Sequence, residues 1–169
     1  TIANLRHPHI VPVYDVGEAE GLAYLIMPLI VGENLRTVME REGAMPVAEV
    51  QRIMREACSG LAAAHDAGIV HRDIKPENVM LEGVEKRVLL MDFGIAKVVG
   101  GVSGVVGDPS EGLTSTGIII GTPQYMSPEQ ACGDKSIDAR SDQYSLAVVG
   151  YRMLSGTLPF DGESTRAVL

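Results

Sequence analysis

His71-Arg72-Asp73-Ile74-Lys75-Pro76-Glu77-Asn78 places the carboxylate of Asp73, the lysine Lys75 and the carboxamide of Asn78 in one short segment, and Met91-Asp92-Phe93-Gly94 adds the carboxylate of Asp92 shortly after it. The flanks predict that both units are loops at strand ends. Upstream, residues 46–67 carry Val47, Val50, Ile53, Met54, Ala57, Leu61 and Ala64 at helical spacing. Pro46 stands where a first-turn proline is tolerated, and Gly68 stops the helix. Between the two units, apolar runs at 79–81 and 88–91 predict small strands around a turn. A hard divalent cation takes oxygen ligands and keeps water and phosphate oxygens in its other positions, so this side-chain set suits Mg²⁺ and phosphate. Acyl transfer fits less well, because no Ser or Cys occupies a nucleophile elbow and no His is placed as its base.

Working outward, residues 10–27 read as an antiparallel hairpin with a Gly17-Glu18-Ala19-Glu20-Gly21 turn, and 33–42 as a short helix. Residues 98–117 are rich in Gly and hydroxyl side chains and lack apolar periodicity, which predicts a long loop of the kind that is functional or disordered. Helical spacing returns over 138–155 through Tyr144, Val148, Tyr151 and Leu154, with Gly156 as the stop. That helix is apolar nearly all round, which predicts burial. Residues 163–169 begin another helix, and no internal repeat is visible.

The chain has 169 residues, room for one ordinary domain or a large piece of a bigger one. Its 14 Lys and Arg against 22 Asp and Glu give a formal charge of −8, the wrong sign for a protein that binds nucleic-acid phosphates. At 46% hydrophobic and 21% charged residues it has the composition of a folding chain, although aromatics are only 4% and Trp is absent. The longest apolar run, 22–31, contains Pro28 and falls short of the roughly 20 residues a membrane-spanning helix needs. Thr1 is not an initiator Met and no signal peptide follows it, so the expectation is a piece cut from a longer chain. Cys58 and Cys132 form no CxxC pair and point to a reducing cytosol. Cys58 reads as a helix-core residue, and His7, His9 and His65 as turn and packing residues rather than metal ligands.

The ordered set His-Arg-Asp…Asn, Asp-Phe-Gly, Gly121-Thr122-Pro123-Gln124-Tyr125-Met126-Ser127-Pro128-Glu129 and Ser141-Asp142 resembles the catalytic domain of serine/threonine protein kinases, most of all the eukaryotic-like kinases of bacteria. The resemblance implies an α+β, protein-kinase-like fold. Within it the chain would run from the end of the family's C-helix, at His7-Pro8-His9-Ile10-Val11, through the fourth and fifth strands of the small lobe and the helical large lobe to about the G-helix. It assigns residues 1–30 to the remainder of the small lobe and the hinge, and 31–169 to the large lobe.

By this resemblance Asp73 is the catalytic base, Lys75 stabilises charge on the transferred phosphate, and Asn78 and Asp92 hold Mg²⁺ or Mn²⁺. Thr122 bonds the catalytic Asp and Lys. ATP is the cofactor. Its site would take Lys75, Glu77, Asn78 and Asp92, with Met80 beneath the adenine, Met27 as gatekeeper, and the Pro28 carbonyl and Ile30 amide against the adenine edge. Proline there departs from the commoner Glu but removes no adenine contact, since only a carbonyl is required. Arg72 is the receptor for a phosphorylated loop residue, with Thr114 and Thr116 as candidates and Ser115 third. Structural roles fall to His71, stacked with Phe93, Val13 and Ile2; to Asp142, capping the buried helix and bonding the catalytic loop; and to Glu129, in a motif where Ser127 replaces Ala.

The resemblance further implies protein substrates, a homodimer for phosphorylation in trans, no nucleic-acid partner, and a cytoplasmic site with room for an inner-membrane anchor in the parent. The Gly-rich loop, the strand lysine and the C-helix glutamate of the family do not occur in these residues. The expectation is therefore an internal fragment of an active kinase that is inactive alone. The alternative is a non-catalytic pseudokinase or interaction module.

Overall fold

The computed structural model describes residues 5–19, 22–93, 123–134 and 136–160. The expected loop at 98–117 and the helix at 163–169 lie outside these. Strands β1 (Asp15–Ala19) and β2 (Leu22–Ile26) pair antiparallel, from Asp15 opposite Ile26 to Ala19 opposite Leu22. The hairpin is present, but Gly17, Glu18 and Ala19 belong to β1 rather than to a turn. A Cβ at Gly17 would overlap the outer end of the Tyr24 ring as it now lies, so a larger residue there would turn that exposed side chain aside.

A second antiparallel sheet consists of β3 (Gly32–Asn34), β4 (Val79–Glu82) and β5 (Arg87–Leu90), with β4 in the middle. The two strands expected after residue 78 are thus β4 and β5, paired from Val79 opposite Leu90 to Glu82 opposite Arg87. Ile10 makes a parallel bridge with Leu90, flanked by Val11 N–H to Leu90 O at 2.9 Å and Leu90 N–H to His9 O at 2.9 Å. These bonds tie the N-terminal segment to the strand that leads into Asp92.

Helix α1 (Leu35–Glu42) starts later than expected, because Glu33 and Asn34 finish β3 and Asn34 then caps the helix by accepting from Thr37 N–H at 2.9 Å. In α2 (Val47–Asp66), Pro46 is the cap residue rather than a first-turn residue, and Gly68 at φ +73° ends the helix as expected. The buried face is Val50, Ile53, Ala57, Gly60, Leu61 and Ala64. Cys58 is exposed, which corrects its reading as a core residue, and so is Val47. Gly60 faces inward instead: a Cβ there would lie 3.0 Å from the His9 carbonyl oxygen, so its bareness admits the 7–10 segment against the helix.

Helix α3 (Pro128–Ala131) is one turn, and α4 (Ala139–Ser155) is long. Asp138 caps α4, accepting from Arg140 N–H at 2.9 Å, which corrects the assignment of the cap to Asp142. Asp142 lies inside the first turn and is buried. The helix is two-faced rather than buried all round: Leu146, Val149 and Met153 enter the core, while Tyr151 and Leu154 are 49% and 48% exposed. Helices α2 and α4 and strand β5 enclose that core with Ile53, Leu61, Leu90 and Met153. Each such fully buried side chain is worth about 1.5–3 kcal/mol. Among the described residues no helix is long and apolar enough to cross a membrane.

Candidate active site

After Gly68 the chain turns inward and His71 becomes fully buried. Its Nε2 lies 2.9 Å from the Met91 carbonyl and its Nδ1 3.3 Å from Asp73 N–H. One neutral tautomer serves both bonds, with Nε2–H donating and Nδ1 accepting. Burial pushes the His71 pKa below its ordinary value, in keeping with that neutral ring. The ring also packs on Phe93, centroid to centroid 4.4 Å. A single imidazole thereby connects Asp73 to the segment bearing Asp92. Val13 is buried as well, and Ile2 lies outside the described residues.

Arg72 is held at φ +68°, a left-handed conformation that costs an L-residue about 1–2 kcal/mol. Hydrogen bonds on both sides hold it there. Asp142 Oδ1 accepts Arg72 N–H at 2.7 Å, and Oδ2 accepts His71 N–H at 2.8 Å and His65 Nε2–H at 2.7 Å. From the other side, Gln130 Nε2 donates to the Arg72 carbonyl at 2.8 Å. The Arg72 guanidinium has no ion-pair partner among the described residues.

The loop then presents its polar side chains. Asp73 Oδ2 receives Lys75 Nζ at 2.6 Å and Asn78 Nδ2 at 3.0 Å, and Asn78 Nδ2 also donates to the Asp73 carbonyl at 2.7 Å. Asp73 Oδ1 is left without a hydrogen bond among the described residues, on a side chain that is 52% exposed. Because the NH₂ group of Asn78 is committed to Asp73, its Oδ1 is likewise open. Asp92, at φ +62°, is exposed, and Met91 N–H bonds the Asn78 carbonyl at 3.0 Å, keeping the two segments adjacent. Two oxygens on neighbouring segments, one from a carboxylate and one from a carboxamide, fit a hard divalent cation that completes its shell with phosphate and water.

Glu77 points elsewhere: its Oε1 receives Arg36 Nη1 from α1 at 2.5 Å, and its Oε2 is buried without a partner. Met80 is half-buried in β4, opposite Leu89. Met27, Pro28 and Ile30 form the connection from β2 to β3. Among the described residues the Pro28 carbonyl and Ile30 amide make no backbone hydrogen bond, so both are available to a ligand edge. Glu129 accepts from the Ser141 hydroxyl and is held below the usual carboxylate range by that bond. Thr114, Ser115, Thr116 and Thr122 lie outside the described residues.

A model of the protein kinase domain matches residues 1–168. The chain belongs to the protein kinase domain family. Curated members of this kinase family similar to it include the serine/threonine-protein kinase PknB of Mycobacterium leprae, 45% identical over 170 residues that cover 98% of this chain and 26% of the relative. The serine/threonine-protein kinase pkn2 of Myxococcus xanthus is 42% identical over 99% of this chain and 20% of its own length. Among solved structures, the kinase domain of Mycobacterium tuberculosis PknI matches with a TM-score of 0.73 and 32% identity, over 95% of this chain and 55% of that one. The protein-kinase-like fold expected from the motifs is thus the fold observed. The chain spans about a quarter of the length of the curated relatives it matches.

Three side chains around this loop were not assigned their observed partners from sequence. His65, read as packing, donates to Asp142; Arg36 engages Glu77; Gln130 engages Arg72. A Ser-x-x-Gln pattern at Ser127 and Gln130 signals a capping box, which the structure contains. Nothing in that pattern announces the long-range bond.

Proposed function

We propose that the protein transfers the γ-phosphoryl group of ATP to serine or threonine hydroxyls of protein substrates. The observation that carries this reading is the loading of Asp73: Lys75 and Asn78 both engage Oδ2, leaving Oδ1 free to receive the proton of an acceptor hydroxyl. Its service is mainly positioning, the largest protein contribution to a reaction with little covalent chemistry of its own. Lys75 offsets negative charge beside that carboxylate. Asn78 Oδ1 and the Asp92 carboxylate would hold Mg²⁺ or Mn²⁺, which neutralises phosphate charge when bound. Met27, Pro28, Ile30 and Met80 would flank the adenine.

In the same reading residues 1–30 are small lobe and hinge and 31–169 large lobe, Thr122 supports Asp73 and Lys75, and Arg72 receives a phosphorylated Thr114 or Thr116. Phosphorylation in trans between two copies and a cytoplasmic location complete it. Since these residues contain no Gly-rich nucleotide loop, phosphotransfer by the 169-residue chain alone is expected to be negligible.

The test uses the full-length natural gene product with labelled ATP, Mg²⁺ and a Ser/Thr-containing protein acceptor. Wild-type protein transfers label, Asp73→Asn lowers kcat by about 10²–10⁴-fold, and chelation of the metal stops transfer. Wild-type protein that transfers none under these conditions overturns the reading and leaves a protein-interaction module.

A further inference from the structure

We propose that Gln130 is a positioning residue for the catalytic loop, its carboxamide fixing the plane of the Arg72–Asp73 peptide from the far side of α3. The inference rests on the kinase reading above and adds a residue to it.

A peptide unit is planar, so the Arg72 carbonyl and the Asp73 N–H are two ends of one rigid plate. Gln130 Nε2 holds the carbonyl end at 2.8 Å, and His71 Nδ1 holds the N–H end at 3.3 Å. With both ends held, the plate cannot rotate. Its orientation decides where the Asp73 side chain leaves the main chain. Neither neighbour could set it alone, because Arg72 is in a left-handed conformation that an L-residue leaves when released.

Gln130 is itself held. Its Oε1 accepts Ser127 N–H at 3.1 Å and its own N–H donates to Ser127 Oγ at 3.4 Å, the reciprocal bonds of a capping box. This use of Oε1 leaves the NH₂ group as the end that faces Arg72. The next residue back, Glu129, accepts from the Ser141 hydroxyl, and the residue after Ser141 is Asp142, which grips Arg72 N–H at 2.7 Å. A closed ring results: Arg72 N–H, Asp142, Ser141, Glu129, Gln130, Arg72 C=O. Both clamps on Arg72 therefore belong to one pinned unit, and a shift of α3 reaches Asp73 through one peptide plane.

A glutamate at 130 can still accept from Ser127 N–H but cannot donate to Arg72, whereas a lysine can donate to Arg72 but cannot accept from Ser127. The experiment compares Gln130→Glu, Gln130→Lys and the neutral Gln130→Met in the full-length protein. It reads kcat and the KM for ATP, amide hydrogen exchange over residues 71–75, and thermal melting as a check that each variant folds. Gln130→Glu and Gln130→Met are expected to lower kcat by about tenfold or more at unchanged KM and to speed exchange at 71–75, with Gln130→Lys closer to wild type in both. Wild-type kcat and exchange in Gln130→Glu, or a Gln130→Lys worse than Gln130→Glu, overturns the proposal in favour of a cap alone. Should the wild-type protein transfer no phosphate, the kinase reading fails while the exchange comparison still decides the clamp. Should Gln130→Glu not fold, Gln130→Met against Gln130→Lys decides it on the same readouts.

Discussion

Asn78 donates one amide group to two acceptors of Asp73, the main-chain carbonyl at 2.7 Å and the carboxylate at 3.0 Å. Under the proposed function, the side chain that would present an oxygen to the metal is thus the one that fixes the proposed proton acceptor. Asn78→Ala is expected to lower kcat by about 10²-fold and raise the Mg²⁺ concentration needed for half-maximal rate. Asn78→Asp should restore the metal dependence only in part, because a carboxylate cannot donate to Asp73. Steady-state rates across a Mg²⁺ titration check both.

Asp142 is 1% exposed and satisfies three donors, from His65, His71 and Arg72. Asp142→Ala leaves the buried His71 N–H, the part-buried Arg72 N–H and an imidazole unpartnered and releases the left-handed Arg72. The expected loss is about 3–5 kcal/mol of folding stability, read from urea denaturation, together with loss of transfer activity.

Stability should also fall in mild acid. The folded-state pKa of His71 is depressed by burial, so below its ordinary value of 6.5 the unfolded chain binds a proton that the folded chain refuses. The His71 contribution is full above pH about 6.5 and declines as pH drops from there toward the folded-state pKa. His7, lowered first by burial and then by His9, acts in the same direction. Urea midpoints measured from neutral to mildly acid pH should slope downward, and His71→Gln should flatten the slope. An unchanged slope in that variant assigns the effect elsewhere.

Gly32 opens β3 directly after the β2–β3 connection, and a Cβ there would overlap the Leu81 carbonyl oxygen on β4. Gly32→Ala must push the strands apart, at an expected cost of about 1–3 kcal/mol. As Met27, Pro28 and Ile30 precede it, the KM for ATP should rise several-fold while kcat changes little. Melting curves and ATP titrations separate the two effects.

The meeting of side chains within a few positions of each other was legible from sequence: Asp73, Lys75 and Asn78 are hydrogen-bonded because one short loop carries them. The long helix was legible from its period. Ala57 was read onto the inward face and is buried, but Cys58 and Gly60 were not told apart, since the bare face of Gly60 shows only against the 7–10 segment that packs on it. The outer face of α4 misled for the opposite reason, as Tyr151 and Leu154 are apolar yet exposed and Ser141 and Asp142 are polar yet buried. Arg36 and Gln130 depend on segments 41 and 58 residues apart coming together, which no local pattern encodes.

The carboxylate that shapes the Arg72–Asp73 loop arrives late. Asp142 follows Arg72 by 70 residues, so at a synthesis rate of about 5–20 residues per second the loop leaves the ribosome roughly 4–14 s before its clamp exists. During that interval helix α2 and the β4–β5 hairpin can form, but Arg72 has no reason to hold its left-handed turn. The geometry of the Arg72–Asp73 loop therefore waits on residue 142, and a nascent chain stalled before it would have its scaffold without that clamp.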